Sequence, residues 1–293
     1  MGYGWLDRNL KWVFTLPAVL FVVFMMAFPI LYTFRISFYE WSMSATSAPK
    51  WVGLDNYIQL VSDKRFWSAT LTTINFTLIA VALETVLGVA VALLLFREFK
   101  GKSLAKTLML LPMVATPVAM GLVWQLIYEP TIGAANSFLK LLGIPPQEWL
   151  ASPSQVIPSL VIIDVWEWTP MISLIVMAGL ATLPAEPYEA ADVDGVRGWQ
   201  KIAYITLPLL RPTIMAAALL RLIDALKTFD IIYATTQGGP NFKSETLNIY
   251  GYVLGFQYFK LGLASALIVL FFLLVLCLTL LMLWMRKRTE VYR

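Results

Sequence analysis

Apolar and polar residues in this chain are sorted into long blocks, with few stretches that alternate. Six apolar blocks stand out, at about residues 12–32, 71–96, 107–128, 156–181, 212–234 and 261–285. Each reaches the roughly 20 residues that a helix needs to cross the hydrocarbon core of a bilayer. A closed barrel would instead alternate apolar and polar positions. The pattern therefore predicts an all-α polytopic membrane protein with six transmembrane helices, organised as a single membrane domain over residues 1–293. The first block is too long for a cleaved signal peptide, and no small-residue cleavage site leads from it into a soluble domain.

Composition narrows the function. The chain is 59% hydrophobic and 14% charged, with a mean hydropathy of +0.73. A soluble domain needs more polar surface than that. There is no His, which removes the usual general base and the commonest metal ligand. The single Cys, Cys277, sits in an apolar run and reads as a small packed hydrophobe. A net charge of +4 needs no nucleic acid to explain it, because basic membrane loops suffice. Of the 22 Lys and Arg residues, thirteen fall on the side that holds both termini and seven on the other. The remaining two, Arg221 and Lys227, lie inside the fifth block. The excess puts both termini in the cytoplasm, together with the polar segment 184–211. No internal repeat is visible, which weighs against carriers built on inverted repeats.

The segment "EAADVDGVRGWQKIAYITLPLLRP" is the most polar long stretch. Pro184 and Pro187 suit the start of a short helix, where a missing N–H costs nothing. Glu186 and Glu189 complement its dipole, Ala190 and Ala191 leave a low surface, and Gly195 suits a left-handed stop. A second amphipathic turn follows through Trp199, Ile202 and Ile205, and Leu207-Pro208 should break it before the next span. The segment reads either as a docking helix-turn-helix or as a solvated connector. "GKS" at Gly101–Ser103 imitates the end of a phosphate-binding loop. Phe96 stands where that loop needs Gly, however, and a membrane span precedes it. ATP, if used, is bound elsewhere.

Two blocks carry charge where charge is expensive. The fifth holds Arg221, Asp224, Lys227 and Asp230. Each would cost roughly 2.5–3.5 kcal/mol at the centre of a lipid-facing helix. Spacings of three suggest pairs Arg221–Asp224 and Lys227–Asp230 along the helix, so the set is either a structural ladder or the polar lining of a path. In the fourth, Asp164, Glu167, Trp168 and Met171 share a helical face, and Pro170 should kink the helix. Carboxylates beside an indole suit a sugar, with acceptors for its hydroxyls and an apolar plate for its ring. The stretch "WVGLDNYIQLVSDKRFW" reads as an interfacial aromatic belt or as a docking surface.

The spacing Glu189-Ala190-Ala191, Gly195, Ile205, Leu207-Pro208 resembles the signature loop of permease subunits of bacterial ABC importers. "YEAADVDGVRGWQKIAYITLPLLRP" is similar to the carbohydrate branch, of maltose and glycerol-phosphate type. "LPAVLFVVFMMAFPILYTFRISF", "VGLDNY" and "TTQGGPNFKSET" extend the likeness over most of the chain. Val196 and Ile202 depart from the family's usual Ala and Phe, and both keep an apolar face. The resemblance implies that Glu189, Ala190, Ala191, Asp194, Gly195, Ile205, Leu207 and Pro208 couple to an ATPase. It also implies a substrate path past Met113, Pro117, Glu167, Trp168, Met171, Arg221, Asp224, Ala225 and Thr228, to which the shared face adds Asp164. The implied partners are a second, homologous permease, two ATPase subunits that bind the ATP and Mg, an extracytoplasmic solute-binding protein, a sugar or sugar derivative, and membrane lipid. The implied location is the bacterial inner membrane. On this reading the chain has no catalytic residue, metal site or cofactor of its own. The alternative from the charges is an ion-coupled secondary transporter using Asp224 and Asp230. For Arg221, a structural pair with Asp224 and the reading of an acidic solute both stay open.

Overall fold

The computed structural model describes residues 4–43 and 48–290. In chain order the helices are α1 (Gly4–Ile36), α2 (Asp55–Ser62), α3 (Lys64–Phe96), α4 (Lys102–Val114), α5 (Pro117–Ile127), α6 (Ala134–Leu141), α7 (Val156–Leu180), α8 (Glu186–Val193), α9 (Gly198–Lys201), α10 (Leu207–Leu226), α11 (Asp230–Thr235), α12 (Leu247–Tyr252) and α13 (Leu261–Glu290). Two short strands, β1 (Tyr39–Glu40) and β2 (Lys50–Trp51), pair antiparallel, with Tyr39 opposite Trp51. Among the described residues, five helices are long and apolar enough to cross a membrane, and a bent pair makes a sixth. The architecture is thus the expected all-α, multi-pass one.

Two of the six blocks are built differently from the expectation. Block 107–128 is not one rod: α4 and α5 meet at 99°. Pro117 has no N–H to give and biases Thr116 away from helix. Thr116 and Ala115 are accordingly extended, with ψ of 130° and 149°. Block 212–234 starts earlier and stops sooner. One helix runs from Gly198 to Leu226, ends at Lys227, and α11 begins afresh at Asp230. Leu207-Pro208 therefore does not interrupt it. The turn Ile202–Thr206 is a π-helix, in which the Leu207 N–H donates to the carbonyl of Ile202. This wider turn carries the chain past Pro208, whose nitrogen has no proton to place. Pro170, expected to kink α7, lies inside one continuous helix.

The chain divides into two compact units. Residues 1–63 and 251–272 form one. Its organiser is Asn56 of the "VGLDNY" stretch, which is buried and donates from Nδ2 to the carbonyls of Ser37 (2.9 Å) and Tyr39 (3.0 Å). Phe38 stacks on Trp51 and packs against Tyr57. The aromatic residues here hold a hairpin together.

Residues 64–250 and 273–293 form the other unit. Its centre is α3, α7 and α10, meeting through Ala92, Ile172, Val176, Leu180, Leu210 and Ala217. Small residues permit the close approach. A Cβ on Gly88 would lie 2.8 Å from Ile172 Cβ, and one on Gly179 would lie 2.8 Å from Thr213 Cγ2. The loop before α7 is pinned by buried Asn136, which bonds Pro130, Gln147 and the Trp149 indole. The Gly-Gly-Pro loop is tied to the start of α3 by Arg65, whose guanidinium makes two bonds of 2.6 and 2.7 Å to Glu245. Its planar fork also faces the rings of Phe242 and Tyr250.

Candidate functional site

The charged residues of the spans converge in the second unit, with partners that the linear spacing does not reveal. Arg221 on α10 is only 1% exposed. It does not pair with Asp224 one turn away. Its Nη2 donates to Asp164 on α7 and to Glu84 on α3 (3.2 Å). Its Nε lies 2.7 Å from the other oxygen of Glu84, a close ion pair without hydrogen-bond alignment. Both carboxylates are fully buried. The reason is dielectric. A pair held between three helices is shielded from water, whereas the rim beside Asp224 is not, and an ionised fork gains most where it is desolvated on both sides. Asp224 instead faces Lys227 at 3.8 Å, with both side chains half exposed. The expected Lys227–Asp230 pair is replaced by this contact, because the helix ends at Lys227 and the three-residue spacing no longer aligns the two side chains.

Beside this cluster is a cavity of about 280 Å³. Pro117, Asp164, Glu167, Trp168, Arg221, Asp224 and Thr228 all line it, as do Lys227, Phe229, Asp230 and Ile231. The bend before α5 brings Pro117 to this wall, and the break after Leu226 exposes the 227–231 stretch to it. Trp168 presents its ring 5.1 Å from the Arg221 guanidinium. Three expected members stand elsewhere. Ala225 is core, packed with Val81 and Ala218 against Met282. Met113 and Met171 are half buried but are not part of the cavity wall. Met171 shares a helical face with Glu167 and Trp168 but falls past the cavity's edge, and Met113 is on α4, turned away from Pro117 by the 99° bend. Glu84 was missed. Its signal was present, since it is the one charged residue in the second apolar block and a lone intramembrane carboxylate demands a cation from another helix.

The segment 184–211 forms a separate constellation. In α8, Glu189 and Ala190 are exposed, and Val193 beyond them is 89% exposed. Ala191 turns inward and is buried, so it packs within the chain and adds nothing to a low outer surface. Asp194 caps the helix, and Gly195 follows at φ +68°. The Val196 N–H returns to the carbonyl of Ala191 (2.9 Å), and the Gly195 N–H to that of Asp192 (3.2 Å). These are the two bonds of a Schellman stop. Trp199 and Tyr204 stay exposed, Ile205 is half buried in the π turn, and Leu207 and Pro208 are exposed. Two ties fasten α8 to the foot of the continuous helix Gly198–Leu226: the Tyr188 hydroxyl donates to Thr206 Oγ1 in the π turn (3.0 Å), and Lys201 of α9 pairs with Asp192. At Gly101, φ is +89° and α4 starts directly behind it. Lys102 there bonds Glu98 and the Phe96 carbonyl, closing α3 as a basic turn would. Among the described residues, no group of three or more His, Cys, Asp or Glu could hold a metal ion.

A bent third span, a polar cavity between helices and an exposed helix-turn-helix define a membrane permease. Residues 84–291 match the family described as "Binding-protein-dependent transport system inner membrane component", and the chain belongs to that family. It is 36% identical over 278 residues to the trehalose/maltose transport system permease protein MalF of Thermococcus litoralis, covering 93% of this chain and 92% of that protein. It is 32% identical over 273 residues to the sulfoquinovosyl glycerol transport system permease protein SmoG of Agrobacterium fabrum, covering 93% and 89%. Its fold matches, at a TM-score of 0.84, 22% identity and 97% coverage of both chains, a crystal structure of a bacterial ABC transporter involved in the import of the acidic polysaccharide alginate. The chain is an inner-membrane transport component and is not itself catalytic. Family membership overturns the ion-coupled alternative, because these permeases are parts of binding-protein-dependent systems.

Proposed function

We propose that this chain is one permease half of an ATP-driven importer of a sugar or sugar derivative, and that segment 189–208 couples it to the ATPase. One observation carries the reading: a single continuous helix runs from Gly198, in the exposed segment, to Leu226, at the cavity. A push at its foot is delivered to the residues that line the path. Glu189, Ala190 and Val193 offer the ATPase an exposed ridge, and the Schellman stop at Gly195 fixes where that ridge ends. A second, related permease completes the pathway, two ATPase subunits hold the ATP and Mg, and an extracytoplasmic binding protein delivers the solute. The names of the relatives support a saccharide cargo. Both termini and segment 184–211 face the cytoplasm, on the balance of Lys and Arg.

Single-Cys labelling in a Cys277→Ser background tests the orientation on which coupling depends. Probes at Ser154 and Asn241 should react with an impermeant reagent from outside intact cells, and a probe at Arg197 only after the cells are opened. External labelling of Arg197→Cys would overturn the coupling role. Co-purification of an ATPase, lost on Glu189→Lys, checks the partner directly.

A further inference from the structure

Membership of this family leaves the charge of the solute open, since relatives are named for trehalose or maltose and for sulfoquinovosyl glycerol, and a protein of the same fold for the import of acidic alginate. The cavity wall is more specific. The group best suited to read an anion is the guanidinium fork of Arg221. That fork lines the cavity too, but it is already engaged by Glu84, Asp164 and the Trp168 ring. The other cation, Lys227, faces Asp224. Around the cavity and its ion cluster, five carboxyl groups (Glu84, Asp164, Glu167, Asp224 and Asp230) stand against these two cations.

Glu167 is the decisive member. It is 1% exposed, it lines the cavity, and its Oε2 has no hydrogen-bond partner. A buried acceptor without a donor is unfavourable until a donor arrives. A sugar hydroxyl supplies one, and the Trp168 ring next along α7 supplies an apolar plate for the sugar's C–H face. A carboxylate or sulfonate on the solute would bring another acceptor and a like charge to the same wall.

Resting on the sugar-permease reading, we propose that this cavity selects an uncharged glycoside through a hydroxyl donated to Glu167, and that its acidic wall turns acidic glycosides away. Arg221 holds the helices together and does not read the solute.

The test uses the assembled transporter in cells, with four neutral disaccharides (trehalose, maltose, sucrose and cellobiose) and the same four carrying a C6 carboxylate. The parent complex should take up at least one neutral sugar about tenfold or more faster than its carboxylate. Glu167→Gln keeps the shape and removes the charge, and should cut that preference by about fivefold or more. Asp224→Asn, at the exposed rim, guards against failed assembly of the first variant and should cut it by about twofold. Parent and variants share one binding protein, so a changed preference belongs to this chain. Equal or faster uptake of the carboxylates by the parent overturns the proposal, as does an unchanged preference in both variants. If no disaccharide of either kind enters while the complex assembles and hydrolyses ATP, the sugar-permease reading itself fails, and the proposal with it.

Discussion

The helix from Gly198 to Leu226 has two polar ends with opposite designs. At Arg221 the charge is enclosed, and its partners come from α3 and α7, 137 and 57 residues away in sequence. At the foot, the charges of α8 are exposed and its ties to this helix are short-range and few. A buried charge is committed to its own chain, because leaving it unpaired costs far more than any surface contact returns. An exposed one remains available to another chain. The difference separates charge that holds this protein's own helices together from charge that stays accessible.

The comparison is broken most severely at Arg221. Arg221→Gln leaves Glu84 and Asp164 buried without a cation and should destabilise the chain by about 3–5 kcal/mol. The triple variant with Glu84→Gln and Asp164→Asn should recover much of that loss. Thermal unfolding of the purified complex measures both. A stable single variant would mean that the cluster is not structural.

At the other end, Glu189→Lys should abolish transport and ATPase association while changing stability by less than about 0.5 kcal/mol. Gly195→Val should do the same at a cost of about 1–2 kcal/mol, from the left-handed backbone alone, because a Cβ there meets nothing within 4 Å. Transport at the parental rate in both, at equal expression, would reduce the segment to a connector.

Tyr188→Phe sharpens the contrast further. It removes one hydrogen bond between α8 and the π turn, about 1 kcal/mol. The expected outcome is ATP hydrolysis that is maintained with less solute moved per ATP, measured in proteoliposomes. An unchanged ratio would show that Lys201 and the π turn carry the linkage without it.

Much of this was legible along the chain. Block length gave the spans, since lipid leaves no alternative to internally bonded helix. Pro117 and Gly195 announced backbone geometry through their own covalent structure, although the consequence of Pro117, a broken span, was not drawn from it. The spacing of charges was misleading where it was read within one helix. Three-residue neighbours along α10 are near each other whatever the rest of the protein does, but which neighbour a guanidinium chooses depends on where the dielectric is lowest. That depends on α3 and α7 packing against it, with Gly88 and Gly179 setting how close they come. The same packing decided that Ala225 faces core and Glu167 faces cavity, although both lie on polar-looking stretches. The sequence by itself determined that this chain crosses a membrane repeatedly, where its exposed helix α8 stops, and which residue types could recognise a sugar. Only the tertiary structure decided that Arg221 belongs to Glu84 and Asp164, because a buried charge is assigned by the three helices that exclude water from it and not by its position in any one of them.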